Sequence, residues 1–187
     1  MFYFDKITLN TERLLLRPLQ HGDAQALFKI FSDPEVMRYW SSRPWTSMDQ
    51  AYEKIAYDQA ALKTGASLIL GVERKTDKLL IGTCSLFEIN EQCRRAEIGY
   101  VLRSDLWGQG YMNEALYTLV NCGFSDLNLN RIEADIDPRN HASAKSLQRL
   151  GFTKEGYLRE RWIVEGEISD TEFYGLLQSE WIKKSIN

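Results

Sequence analysis

The spacing of apolar and polar residues changes several times along the chain, and each change marks an element. Arg13–Leu19 (RLLLRPL) reads as a strand, stopped by the turn at His21-Gly22-Asp23. Asp23 then caps a helix that places Ala24, Leu27, Phe28 and Phe31 on one face, and Asp33-Pro34 ends it. Ser47 and Gln50 have capping-box spacing, followed by the helical stripe Tyr52, Ile55, Ala56 and Leu62, with Gly65 as the stop. Strands are predicted at Ser67–Glu73, Leu79–Glu88 and Arg95–Leu102, with a turn at Lys75-Thr76-Asp77. In the third, Ala96, Ile98, Tyr100 and Leu102 alternate with Glu97 and Gly99, which gives one buried and one more polar face. A helix over Met112–Phe124, a strand over Ile132–Ile136, and a helix over His141–Leu150 closed by Gly151 come next. The last segment, Tyr157–Leu177, alternates as a hairpin turning at Glu165-Gly166. This order predicts an α/β fold, a mixed sheet with helices on both faces.

No repeat or low-complexity linker interrupts these 187 residues, so the chain is expected to form a single domain over 1–187 with a core near 8–182. Apolar residues make up 44% and charged residues 26%, the balance of an ordinary globular protein. A net charge of −3 argues against a general nucleic-acid binder. No apolar run is long enough for a membrane span or a signal core. Cys84, Cys93 and Cys122 form no CxxC pair and read as free thiols in a reducing compartment, so a cytoplasmic location is expected. No Cys/His cluster suggests a metal, and no Ser-His-Asp pattern suggests hydrolysis.

The most informative stretch is Leu106-Trp107-Gly108-Gln109-Gly110-Tyr111-Met112, between a predicted strand and a predicted helix. Glycines there let backbone approach a ligand closely, and the helix N-terminus offers unpaired N–H groups and partial positive charge to an anion such as a pyrophosphate. The spacing fits neither the dinucleotide GxGxxG nor a P-loop. Some 30 residues on, Asp137-Pro138-Arg139-Asn140-His141-Ala142-Ser143 leads into Leu150-Gly151-Phe152.

Taken together, IGYVLRSDLWGQGY, N-x-x-S and L-G-F resemble the GNAT superfamily of N-acetyltransferases. The early TERLLLRPL, EIGY and the late GEISDTEFYGLL are most similar to its RimJ/RimL-type branch, which modifies ribosomal proteins. The resemblance implies a mostly antiparallel sheet splayed at the cofactor site. It implies acetyl-CoA as co-substrate, no metal, and direct transfer to an amine, most simply a protein N-terminal amine. A small amine acceptor (polyamine, amino acid or antibiotic) and a non-catalytic CoA-binding sensor are the alternatives. A homodimer is compatible with all three.

Residue by residue, the resemblance places Tyr100 and Leu102 along the pantetheine arm, with Leu102 as backbone donor. It places the pyrophosphate against Trp107, Gly108, Gln109, Gly110, Tyr111 and Met112. Asn140 matches the asparagine that contacts pantetheine, and Ser143 would sit near the thioester, able to protonate or hydrogen-bond the sulfur. Met112 stands where the motif usually ends in a small residue and would narrow the cofactor site. Where many relatives carry a tyrosine acid, four residues before the final glycine, this chain has Leu147.

Amine acetylation needs a base for the ammonium proton, and Glu97 and Asp135 are the candidates. Against that, Glu133, Asp135 and Asp137 alternate, so one exposed acidic strand face would account for all three. Tyr39, Trp40 and Trp45 crowd a loop between two helices and are expected at the acceptor cleft, as are Arg161 and Trp162 on the final hairpin.

Overall fold

The computed structural model describes residue 4 and residues 6–181; the outermost positions of the expected 1–187 domain lie outside them. Eight strands form one sheet in the order β1-β2-β3-β4-β5-β6-β8-β7. They are β1 Leu9–Asn10, β2 Leu14–Arg17, β3 Leu68–Arg74, β4 Leu79–Asn90, β5 Arg95–Leu102, β6 Arg131–Ile136, β7 Thr153–Val164 and β8 Glu167–Leu177. Among the helices that accompany them are α1 Ala24–Phe31, α2 Pro34–Met37, α3 Met48–Thr64, α4 Tyr111–Ser125 and α5 His141–Leu150. The fold is the mixed, mostly antiparallel α/β sheet that the sequence predicts.

Local chemistry fixes the helix ends. The Ser47 hydroxyl accepts from Asp49 N and the Gln50 side chain accepts from Ser47 N, both at 3.1 Å, a capping box that starts α3. Gly65 (φ +74°) and Gly151 (φ +102°) end α3 and α5 in the left-handed region. Pro34 does more than end a helix. Its missing N–H costs nothing at a first helical position, so it opens α2, with the Asp33 carboxylate accepting from Glu35 N at 2.9 Å. The same Asp33 accepts from Ser104 Oγ at 2.6 Å, tying α2 to the turn after β5.

One face of the sheet packs under α4, whose Ala115, Leu116, Leu119 and Val120 are fully buried among β-strand residues such as Leu86 and Ile132. Each such leucine contributes on the order of 2 kcal/mol in area removed from water. On the other face, α1, α2 and α3 close over Leu19, Leu80 and Val101. The β5–β6 part of that face is left open as a cleft.

The strands of this cleft part for a definable reason. β5 and β6 run parallel but pair only over Arg95–Glu97 against Arg131–Glu133, whereas β5 stays paired with β4 as far as Leu102. Arg103 N donates to Ile81 O at 3.0 Å, and backbone groups of an antiparallel pair face the partner at every second residue. Val101 and Gly99 therefore also face β4. Tyr100 and Leu102 turn their N–H and C=O toward the gap.

The hairpin differs in extent from Tyr157–Leu177. β7 starts at Thr153, and register shifts near Glu155 and between Leu158 and Trp162 break the alternation that sequence reading depends on.

Candidate active site

Gly108 (φ +76°) and Gly110 (φ +80°) both hold left-handed backbone in the turn that feeds α4. No side chain caps the N-terminus of α4, so the first-turn amides of Tyr111 and Met112 and the partial positive charge of the helix present themselves to an anion. The Met112 side chain is buried in the core and does not narrow this site as the sequence suggested; only its backbone belongs to the loop. Trp107 is exposed, and its Nε1 donates to Leu102 O at 2.9 Å, fastening the loop to the gap-facing carbonyl of β5.

A second fastening comes from residues the sequence did not single out. Glu114, in the first turn of α4, accepts from Thr11 Oγ1 (2.5 Å), Arg13 N (2.8 Å) and Arg13 Nε (2.6 Å). Burial raises the Glu114 carboxyl, but these hydrogen bonds outweigh it and hold the group below the ordinary glutamate value. Arg13 also donates to Gln109 O at 3.0 Å and lies 4.4 Å over the Tyr111 ring. Arg13 and Glu114 are 101 residues apart, and no local pattern announces their pairing.

Asn140 caps α5, its side-chain oxygen accepting from Ser143 N at 3.1 Å, while its NH2 group makes no hydrogen bond among the described residues. Ser143 Oγ lies 2.5 Å from the Tyr100 hydroxyl. Burial, first of all, pushes the Tyr100 phenol up to about 12, so it stays protonated. Leu147, one turn on, is fully buried in the core.

The cleft on the open face has a volume of about 780 Å³ and brings together Tyr39, Trp40, Glu97, Tyr100, Asp135, Asn140, Ser143 and Trp162. Trp45 is not among its lining residues. It stacks on Phe31 (centroids 4.5 Å, 17°), and Trp40 meets the same ring edge-on at 5.4 Å, so Trp45 acts as packing beneath the loop and not as a cleft wall. Tyr39 lies beneath Arg139 at 5.7 Å, and Arg43 is ion-paired with Glu165 of the hairpin turn; together they bridge the rim.

The acidic face expected of β6 is not exposed. Glu133 is buried and accepts from Arg95 (2.8 Å) and Arg131 (2.7 Å). Asp137 is held by Arg139, which also reaches Glu167. Asp135 accepts from Thr171 Oγ1 (2.7 Å) and Trp162 Nε1 (3.1 Å), with Arg161 Nε 3.7 Å from its second oxygen. The bulge at Glu160 (φ +52°), whose N–H donates to Asp170 at 2.7 Å, turns Arg161 and Trp162 onto Asp135. Replacing Asp135 by Ala strands the fully buried Thr171 hydroxyl. It is therefore expected to lower unfolding free energy by about 1–3 kcal/mol in urea titrations.

Glu97 is the exception. It shares the cleft-facing side of β5 with Gly99 and makes no hydrogen bond or ion pair among the described residues. Partial burial, then repulsion from Asp135, Glu133 and Glu88, pushes it up to about 7, with Arg161 opposing. A carboxyl group that titrates near neutrality, facing a cleft that the splayed strands connect to the glycine loop, suits proton removal from an amine. No group of side chains that could hold a metal occurs among the described residues, and no described helix is long and apolar enough to cross a membrane.

The glycine loop without a side-chain cap and the gap-facing backbone of Tyr100 and Leu102 fit the pyrophosphate and the amide-rich arm of a coenzyme A thioester. Comparison with known proteins gives the family. Residues 13–153 match the acetyltransferase (GNAT) domain family. The chain is 41% identical over 175 residues to the uncharacterized N-acetyltransferase p20 of Bacillus licheniformis, covering 93% of this chain and 98% of that one. It is similar in structure to spermidine N-acetyltransferase from Vibrio cholerae, solved in complex with CoA and spermine (TM-score 0.80, 27% identity, 92% of this chain and 99% of that one). The ribosomal-protein-S5-alanine acetyltransferase of Vibrio fischeri shares the fold (TM-score 0.82, 24% identity, 94% and 99% covered). The chain belongs to the GNAT acetyltransferase family, enzymes that transfer an acetyl group from acetyl-CoA.

Proposed function

We propose that the protein acetylates the α-amine of a polypeptide N-terminus in the bacterial cytoplasm, as a member of the RimJ/RimL-type branch, with Glu97 as general base. The observation that carries this reading is the unpaired Glu97 carboxyl in the cleft, pushed up to about 7. An α-ammonium, with a pKa of about 8, lies close to Glu97 and passes its proton there at little cost. A lysine-like alkylammonium, at about 10.4, lies well above it and gives up its proton less readily.

Acetyl-CoA supplies an activated acyl group on a thiolate leaving group. The loop of Trp107–Met112, fastened by Arg13 and Glu114, holds its pyrophosphate. Leu102 and Tyr100 offer backbone groups, and Asn140 its side-chain NH2, to the arm. Tyr39, Trp40 and Trp162 flank the acceptor. Glu97 takes one proton from the ammonium, the freed amine attacks the acyl carbon to form a tetrahedral adduct, and the C–S bond breaks as that adduct collapses. Ser143 donates a hydrogen bond to the departing sulfur. The second amine proton leaves with the collapse of the tetrahedral adduct and balances the thiol released.

A small polycation is the second reading. It is favoured by the relative from Vibrio cholerae, whose structure contains spermine, and by Glu88, an exposed cleft carboxylate with no ion pair among the described residues. Release of free CoA thiol from acetyl-CoA, measured across N-terminal peptides and small amines, chooses between them. Turnover on peptides at least tenfold above that on spermidine is the expected result. The reverse order overturns the peptide reading, and no turnover on any amine points to a sensor.

A further inference from the structure

We infer that Tyr100 is a positioning residue for thioester cleavage: its phenol donates to the Ser143 hydroxyl and thereby leaves the serine's own O–H directed at the departing sulfur. The inference rests on the proposed placement of Ser143 beside the thioester and adds a residue and a hydrogen-bond direction to it.

Three observations set the direction. The Tyr100 and Ser143 hydroxyl oxygens are 2.5 Å apart, and the phenol also reaches the Ser143 carbonyl oxygen at 3.3 Å. A phenol carries a single proton, and the carbonyl lies beyond the usual O–H···O range of about 2.5–3.0 Å, so the buried phenol's proton is assigned to the much nearer serine oxygen. The buried phenol keeps its proton at every pH at which the protein works. Finally, the Ser143 hydroxyl, in the first turn of α5, is not spent on a helix carbonyl. Ser146, three residues on in α5, donates back to Ala142 O at 3.0 Å, the ordinary resting place of a helical hydroxyl. Ser143 makes no such bond among the described residues, its N–H is already taken by Asn140, and Tyr100 fills its acceptor side. Its own proton is then left for an acceptor in the cleft, which Ser143 lines beside the gap onto which the Tyr100 backbone also opens.

This arrangement gives the leaving sulfur a donor on α5 fixed in advance by a partner on β5. It also accounts for a site that manages with Leu147 where a tyrosine acid stands in many relatives: the phenol comes from β5 and acts through Ser143.

The test compares Y100F, S143A and the double variant, using steady-state thiol release together with calorimetric affinities for CoA and for desulfo-CoA, which lacks the sulfur. Y100F is expected to lower kcat by about 3- to 10-fold with little change in KM for acetyl-CoA. It is also expected to lower the CoA to desulfo-CoA affinity ratio, which a purely structural role would leave alone, since desulfo-CoA affinity is unchanged. S143A is expected to lose more, and the double variant no more than S143A, because Tyr100 acts only through the serine. If S143A is slow with a reduced ratio while Y100F keeps both kcat and ratio, the inference about Tyr100 fails and the placement of Ser143 stands. If S143A itself keeps rate and ratio, the placement of Ser143 fails.

Discussion

Replacing Glu97 by Gln is expected to lower kcat/KM by about 10²- to 10⁴-fold, the usual contribution of a positioned base, while the calorimetric affinity for CoA stays within twofold. The substitution keeps shape and removes only the ability to take a proton. Burial followed by the repulsion of Asp135, Glu133 and Glu88 sets the wild-type group at about 7. Because a base works only when deprotonated, wild-type kcat/KM is expected to rise with pH and level off above about 7, and E97Q is expected to lose that limb. Stability gives an independent reading of the same group. Between about 4.5 and about 7 the folded chain holds a proton that the unfolded chain has released. Wild-type stability attributable to this group is therefore full below that window and lost as pH rises through it. E97Q has no such loss, so it should melt higher than wild type above pH 7 while being the slower enzyme. Full turnover in E97Q across the pH range would move the search for the base to Asp135.

The glycine turn before α4 was legible in the sequence because its chemistry is local: two glycines that take positive φ, placed between a strand and a helix. The same holds for the capping box at Ser47 and the stops at Gly65 and Gly151. Pro34 shows how a local signal can be read from one side only. The proline excludes helix at Asp33, yet at a first helical position it starts α2. Alternation failed where the backbone departs from it. The bulge at Glu160 shifts β7 by two residues against β8, and no periodicity carries that information. The β6 acids read as an exposed face because their partners come from elsewhere: Arg95 on β5, Thr171 on β8, Arg161 and Trp162 on β7. The sequence offers Glu97 and Asp135 alike as candidate bases, and only those pairings separate them: in the fold Glu97 is the cleft-facing acid of β5 with no hydrogen bond or ion pair among the described residues. Trp45 went the other way, since an aromatic loop residue and a residue stacked under that loop look alike until Phe31 is seen beneath it.

The largest loss of cofactor affinity is expected from Gly110→Val. Gly110 precedes the first turn of α4 at φ +80°, a conformation that side chains branched at Cβ avoid, and a Cβ there would lie 3.4 Å from the Arg13 guanidinium. Valine must therefore rotate the backbone, and with it the amides of Tyr111 and Met112. Hydrogen bonds to a charged phosphate contribute about 1.5–3 kcal/mol each, so losing two raises the Kd for CoA by more than about 10²-fold. The strain itself amounts to roughly 1–2 kcal/mol, enough to lower the melting temperature without unfolding the chain at room temperature. Gly108→Ala separates conformation from crowding, because nothing lies within 4 Å of a Cβ at Gly108, where φ is +76°. Any loss there comes from backbone conformation alone. Arg13→Ala loosens the loop from Gln109 and Glu114 without touching a glycine and should weaken CoA by an intermediate factor. Pantetheine, which lacks the pyrophosphate, should bind G110V and wild type alike, so the difference between the two ligands isolates the phosphate site from any general disturbance of the fold. Unchanged CoA affinity in a cooperatively melting G110V would mean that the anion is held elsewhere. The uncapped start of α4 would then be a structural feature of the turn and not a binding site.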